Sequence, residues 1–181
     1  RVRSSAASDV YKRQEALLRR YGGAAVETLS EAGRALLVRR AAEPLEVPME
    51  VRSIRFTAQA GEERLTCDVP WSTEALGNIL KNCMEHAASW VQVTARETAI
   101  FTEITVQDDG PGFDPEELPR LFQRFYRGKE VRAREGAGIG LYLSRLIAEQ
   151  EKGYLTVEPA PGGGSCFSLF LQNCKNPAPA L

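Results

Sequence analysis

Two acids and two glycines, Asp108-Asp109-Gly110-Pro111-Gly112, stand where an alternating apolar run through Ile104 and Val106 stops. An ionised carboxylate only accepts hydrogen bonds. Adenine offers it a donor, the exocyclic amine, whereas guanine has a carbonyl there and would leave polar groups unpaired. An aspartate closing a strand, Asp108 or its neighbour Asp109, can therefore select adenine. Gly110 and Gly112 permit positive φ and the close approach of a flat base. The same letters also fit an ordinary turn after a strand. Further along, Gly136, Gly138 and Gly140 precede and enter a helical pattern. Backbone N–H groups at a helix start bind phosphate. The spacing G-x-G-x-G is neither the Rossmann fingerprint nor a P-loop, and a flexible hinge shares it. Asn82 offers a neutral oxygen to Mg²⁺, a hard ion that takes few protein ligands beside substrate phosphates. Residues 123–135 hold Arg124, Arg127, Lys129, Arg132 and Arg134 against Glu130 and Glu135. This segment reads as a mobile loop whose cations either cover a polyphosphate or are simply solvated.

These residues need elements to hold them. A helix is expected from residue 72 to about 88, with Ser72 as N-cap and Glu74 in the first turn. Leu76, Ile79, Leu80, Cys83, Met84 and Ala87 form its buried stripe. Asn78, Asn82 and Glu85 share another face, which alone would read as the solvated side. "VQVTARE" and "AIFTEITVQ" alternate with period 2 and predict an antiparallel pair. Asp114-Pro115-Glu116-Glu117 reads as a helix start, with Leu118, Leu121 and Phe122 on its buried side. "GAGIGLYLSRLIAEQ" (136–150) reads as a glycine cluster opening a helix, with Ile139, Leu143 and Leu146 inward. "YLTVEP" and "SCFSLFL" flank Pro161-Gly162-Gly163-Gly164 as a closing hairpin. Earlier, "SIRFTAQ" and "RLTCDV" read as short strands around a turn at Gly61. Pro44 and Pro48 mark a boundary, and residues 15–42 read as helical. The expected architecture is α+β: a two-layer sandwich, with a mixed, mostly antiparallel sheet and three helices on one face.

The order of the signals matters more than any one of them. Asn on a helix, then Asp-x-Gly-x-Gly after a strand, then an aromatic and basic loop, then Gly-x-Gly-x-Gly form one coherent nucleotide site. In this order the sequence resembles the ATP-binding catalytic domain of bacterial sensor histidine kinases, within the Bergerat-fold (GHKL) superfamily. "NILKNCMEHA" resembles the N box, "DDGPGF" the first glycine box, "LFQRFYRG" the F box and "GAGIGL" the second glycine box. The resemblance covers residues 65–172, and it implies roles at the matching positions. Asn82 would bind Mg²⁺, with Asn78 one turn earlier lining the phosphates. Asp108 would bind the adenine amine, with Gly110 and Gly112 shaping the pocket. Arg124 and Arg127 are lid candidates for the γ-phosphate, with Phe122 and Phe125 as anchors. Gly136, Gly138 and Gly140 would face the phosphates, Leu141 would belong to the cofactor site, and His86 would lie near the nucleotide. Three departures stand out. Glu85 occupies a cofactor-facing position where many members carry Lys. Asp109 stands where Asn is usual, and Ala137 where Thr or Val is common.

The resemblance further implies a kinase that uses ATP and Mg²⁺ and phosphorylates a histidine on an upstream dimerisation module. It implies a response regulator downstream, a homodimeric full-length protein, no nucleic-acid partner, and a cytoplasmic domain whose parent can be anchored in the membrane. The only histidine here is His86. Three alternatives share the pocket. Chaperone- and topoisomerase-type ATPases place a water-activating Glu one turn before the Mg-binding Asn, where this chain has Asn78. A serine kinase of the anti-sigma-factor type is the second, and a regulatory binding module the third.

Residues 4–14, "SSAASDVYKRQ", match a translation of a transposon-end adaptor used in DNA library preparation. The expected division is therefore a non-native segment over 1–14, a helical remnant or linker over 15–44, the ATP-binding domain over 45–174 and a disordered tail over 175–181. The formal net charge of −1 points to no polyanionic partner. No apolar run approaches the roughly 20 residues that span a bilayer, and no signal-peptide pattern is read. Cys67, Cys83, Cys166 and Cys174 lack CxxC spacing and are expected to be reduced.

Overall fold

The computed structural model describes residues 32–61, 64–65, 67–126 and 138–173. The adaptor-like start, the helix expected before residue 32, Arg127, Gly136, Cys174 and the tail lie outside these residues. The elements in chain order are β1 (Ala32–Gly33), α1 (Arg34–Ala42), a 3₁₀ turn (Glu43–Leu45), α2 (Glu46–Val51), β2 (Arg55–Gln59), β3 (Arg64–Leu65), α3 (Val69–His86), β4 (Trp90–Glu97) and β5 (Phe101–Asp108). A second 3₁₀ turn (Leu118–Arg120), α4 (Gly140–Gln150), β6 (Tyr154–Pro159) and β7 (Ser165–Gln172) complete the order. The main sheet runs β2-β4-β5-β7-β6; β2 and β4 are parallel and the other neighbours antiparallel. β1 and β3 form a separate antiparallel pair. The expected α+β, two-layer arrangement with a mixed sheet is the one found.

One face of the sheet is apolar because each strand alternates. Val93, Val106, Phe167 and Val157 stand opposite one another across four strands, and Ala95, Ile104, Leu169 and Leu155 form the next row. On these rows lie Leu76, Ile79, Leu80 and Cys83 of α3 and Leu143, Ile147 and Ala148 of α4, all buried in one core. Leu37, Val38, Ala41 and Ala42 of α1 belong to the same core. Fully burying a side chain of Leu or Ile size contributes about 1.5–3 kcal/mol, so these rows fix the helix layer. Ser144, wholly buried on α4, donates its hydroxyl to the Ala75 carbonyl at 2.9 Å and seats α4 against α3.

Several local expectations are corrected. The cap of α3 is Asp68, not Ser72: Asp68 accepts from the Trp71 N–H at 3.2 Å, and Pro70 occupies the first turn. Ser72 is a buried residue inside the helix. Residues 114–122 form no α-helix. Asp114 folds back on the Glu116 N–H at 3.0 Å, and only Leu118–Arg120 makes a 3₁₀ turn, with Pro119 inside it. At the boundary expected from Pro44 and Pro48, α1 ends at Ala42 and the 3₁₀ turn and α2 follow. Both prolines sit in early helical turns, where a missing N–H costs nothing. The strands expected around Gly61 are shorter, and they pair with other partners instead of each other. Among the described residues α1 lies within the helical reading of 15–42, and α2 is a helix that was not expected.

Candidate functional site

The alternation that builds the core also decides which acid faces inward. Thr102, Ile104, Val106 and Asp108 share one face of β5, and all four are buried. Asp108 therefore ends the apolar row, with its carboxylate between sheet and helices. Its Oδ1 accepts from the Gly110 N–H at 2.8 Å and the Ser165 N–H at 3.4 Å. Its Oδ2 is buried and has no hydrogen-bond partner among the described residues. Burial pushes the carboxyl pKa up, against the opposing pull of the Gly110 N–H, the Cys83 thiol, the Ser165 N–H and His86. Cys83, fully buried on α3, is held as a neutral thiol well above its ordinary range, by burial first and the Asp108 charge second. A buried oxygen without a donor costs free energy, and it is the kind of group a ligand donor satisfies.

Asp109 points the other way and is saturated. Its Oδ1 accepts from the N–H groups of Ala88 (3.0 Å), Ser89 (2.9 Å) and Trp90 (3.0 Å), and its Oδ2 from the Ser89 hydroxyl at 2.5 Å. Burial raises its pKa, but the Ser89 hydroxyl and these N–H groups outweigh that and bring it to about 2.

The glycines hold backbone against backbone. A Cβ on Gly110 would overlap the His86 carbonyl, and one on Gly164 (φ +91°) would overlap the Asp108 carbonyl. Gly112 (φ +76°) packs so that a Cβ would sit 3.0 Å from the Gly164 carbonyl oxygen. At the start of α4, a Cβ on Gly140 would lie 3.2 Å from Asn78 Oδ1. Asn78 and the glycine-opened helix are thus neighbours, and Asn82 stands half-buried one turn beyond Asn78. The His86 ring lies 6.1 Å from Phe113, which packs edge-on against Phe167 at 5.9 Å.

The remaining expected residues divide. Phe122 and Leu141 are half-buried against the core. Phe125 is 54% exposed and takes a positive φ of 65°, and its N–H donates to the Gly138 carbonyl at 2.9 Å. That bond ties the chain after the 3₁₀ turn to the start of α4. The Arg124 guanidinium lies over the Phe125 ring, 4.7 Å from its centroid. Glu85 lies 3.9 Å from Lys81, one turn back on the same helix. Sequence reasoning gave no role in the site to Phe113, Gly164 and Ser165, and it left Asp109 as the alternative to Asp108 for selecting adenine, whereas the structure turns Asp109 onto residues 88–90. Strand parity at 104, 106 and 108 is the available signal for separating the two acids.

The family model described as histidine kinase-, DNA gyrase B-, and HSP90-like ATPase matches residues 67–174. Over 103 residues the chain is 37% identical to the signal transduction histidine-protein kinase AfsQ2 of Streptomyces coelicolor, covering 56% of this chain and 19% of that protein. It is 37% identical over 99 residues to the sensor histidine kinase CpxA of Escherichia coli, covering 54% of this chain and 22% of that protein. The chain thus spans about a fifth of the length of these relatives. Among solved structures, the catalytic domain of histidine kinase ThkA superposes with a TM-score of 0.69 at 22% identity, over 80% of this chain and 97% of that one. Full-length ShkA in complex with AMPPNP gives 0.74 at 24% identity, over 90% of this chain and 35% of that one. At such identities the likeness is one of fold.

Proposed function

Because the chain belongs to the histidine kinase-, DNA gyrase B-, and HSP90-like ATPase family, as a catalytic domain of the sensor histidine kinase kind, we propose that it binds Mg-ATP and passes the γ-phosphoryl group to a histidine outside the described residues. The observation that supports this most is the buried Oδ2 of Asp108, unpartnered among the described residues, at the end of an apolar strand row. The adenine amine supplies the donor it lacks. The glycine contacts at Gly110, Gly112 and Gly164 keep the wall beside it thin.

At the other end of the nucleotide, Asn78 and the N–H groups opening α4 after Gly138 and Gly140 would receive phosphate oxygens. Asn82 would give one amide oxygen to Mg²⁺. No group of three or more His, Cys, Asp or Glu side chains placed to hold a metal is found among the described residues. That donor set fits an ion held mainly by phosphates and water. The ion would neutralise charge developing on the transferred group. Arg124 and Arg127 are assigned the same task from the lid, anchored by Phe122 and Phe125, and Leu141 and His86 border the nucleotide. The acceptor imidazole attacks phosphorus, the bond from the γ-phosphorus to the β,γ-bridging oxygen breaks, and ADP leaves. The imidazole is itself the nucleophile, so the domain needs no general base, and catalysis is positioning and charge stabilisation. Asn78, in place of a water-activating carboxylate, favours transfer over hydrolysis. A response regulator as the next acceptor, a homodimeric full-length protein and a cytoplasmic position for this domain belong to the same proposal. None of the described helices is long and apolar enough to cross a membrane.

The test uses ATP labelled at the γ-position. The chain alone is expected to bind ATP and gain no phosphohistidine. Adding the histidine-bearing two-helix segment of the parent protein is expected to produce acid-labile label on that segment. Acid-labile label on this chain alone, or inorganic phosphate as the main product, contradicts the proposal.

A further inference from the structure

We infer that Asp109 is a positioning residue for base selection: its carboxylate fixes the wall that aims the free oxygen of Asp108. The inference rests on the nucleotide reading above. Three consecutive N–H groups, of Ala88, Ser89 and Trp90, converge on one Asp109 oxygen, and the Ser89 hydroxyl bonds the other. An ionised carboxylate has about four lone-pair sites, so this set nearly saturates it. The clamped segment joins the end of α3 to the start of β4, and Asp109 itself comes directly after the last residue of β5.

The consequence lies one residue to each side. His86 ends α3 just before the clamped segment, and its carbonyl lies against Gly110 closely enough that a Cβ there would overlap it. Gly110 in turn donates its N–H to Asp108 Oδ1 at 2.8 Å. The chain of contact thus runs from Asp109 through residues 88–90 to the His86 carbonyl, then to Gly110, and ends on the Asp108 carboxylate. Holding Oδ1 on Gly110 leaves Oδ2 as the oxygen that faces a base. Release of the clamp lets the end of α3 separate from the loop after β5, and the Asp108 carboxylate loses its fixed orientation. An asparagine keeps one oxygen for the three N–H groups and turns its N–H₂ toward the Ser89 hydroxyl, which can accept, so it can hold this set, whereas alanine holds none of it.

Competition against a fluorescent ADP analogue, with ATP and with ITP, tests the inference. ITP carries a carbonyl where ATP carries the amine, so the ratio of the two affinities reports the aim of Asp108. Thermal melts confirm that each variant is folded at the working temperature. Asp109→Ala is expected to weaken ATP about 10-fold and ITP much less, as expected for losing roughly one well-oriented hydrogen bond, so the ratio narrows. Asp109→Asn, the conservative variant, is expected to keep the ratio near that of the unaltered chain. A folded Asp109→Ala with the unaltered ATP-to-ITP ratio overturns the inference. Should Asp109→Ala fail to fold, Asp109→Ser, whose single short hydroxyl can take only part of the set, decides the matter: a narrowed ratio supports the inference and an unchanged ratio overturns it. An unaltered chain that binds neither nucleotide sinks the nucleotide reading itself, a separate result.

Discussion

Asp108→Asn is expected to abolish measurable ATP binding while leaving the melting midpoint at or above that of the unaltered chain. The two halves have one cause. The introduced asparagine would keep an oxygen for the Gly110 N–H, so the local backbone survives. In place of the free oxygen it would present an N–H₂ group, donor against the donor amine of adenine. Losing a hydrogen bond to a charged acceptor and leaving two donors opposed costs about 3–4 kcal/mol, which is more than 100-fold in affinity. The stability half comes from linkage. Burial raises the folded pKa of Asp108 above its unfolded value. The folded protein therefore binds the proton more tightly, and stability falls as pH rises from the unfolded value through the raised one. At neutral pH the unaltered protein bears that loss, and Asn, which does not ionise, escapes it. Isothermal titration and thermal melts at pH 7 check both halves. Retained ATP affinity refutes the adenine role, and a large drop in midpoint shows that the carboxylate holds the fold together.

Gly164→Ala is expected to lower the midpoint by about 10 °C, whereas Gly163→Ala lowers it by only a few degrees. Both positions lie in the left-handed region, with φ of 104° at Gly163 and 91° at Gly164, where a side chain costs about 1–3 kcal/mol. They differ in what surrounds them. A Cβ on Gly163 meets nothing within 4 Å among the described residues, but one on Gly164 overlaps the Asp108 carbonyl. Relief requires the start of β7 to move away from the end of β5, where Cys166 pairs with Gln107. The overlap adds about 1–3 kcal/mol, as is typical of overpacking, and each kcal/mol shifts the midpoint by roughly 2–4 °C at this size. The same movement withdraws the Ser165 N–H from Asp108 Oδ1, so ATP affinity falls as well. Equal midpoints for the two alanine variants would show that the close approach at Gly164 is not a constraint.

The layer plan is legible in the sequence because the strands and the main helix are strongly periodic. The inward parity of Ile104 and Val106 carries the signal that puts Asp108 in the core and Asp109 outside it. Parity does not show the company Asp109 keeps, since its four donors come from a segment about 20 residues away. The helix start is displaced from residue 72 for a local reason. Ser72 is a good cap by type, but Asp68 with Pro70 is the better pair, and the apolar Val69 and Trp71 disguise it as the end of a strand. The helix expected at 114 fails because Asp114 closes a tight turn on Glu116 and Pro119 restricts the next turn to 3₁₀ geometry. The triple glycine reads as a hairpin turn and is one, but its second task, lying against the Asp108 backbone, depends on the β5–β7 register. Register is a long-range property that no local window contains.

The most direct measurement is calorimetric titration of the unaltered chain with ATP and with GTP in the presence of Mg²⁺. Adenine selection by Asp108 predicts saturable binding of ATP and, for GTP, binding weaker by about 100-fold or more, since the guanine carbonyl faces the Asp108 carboxylate. Equal or tighter binding of GTP, or no binding of either, would contradict it.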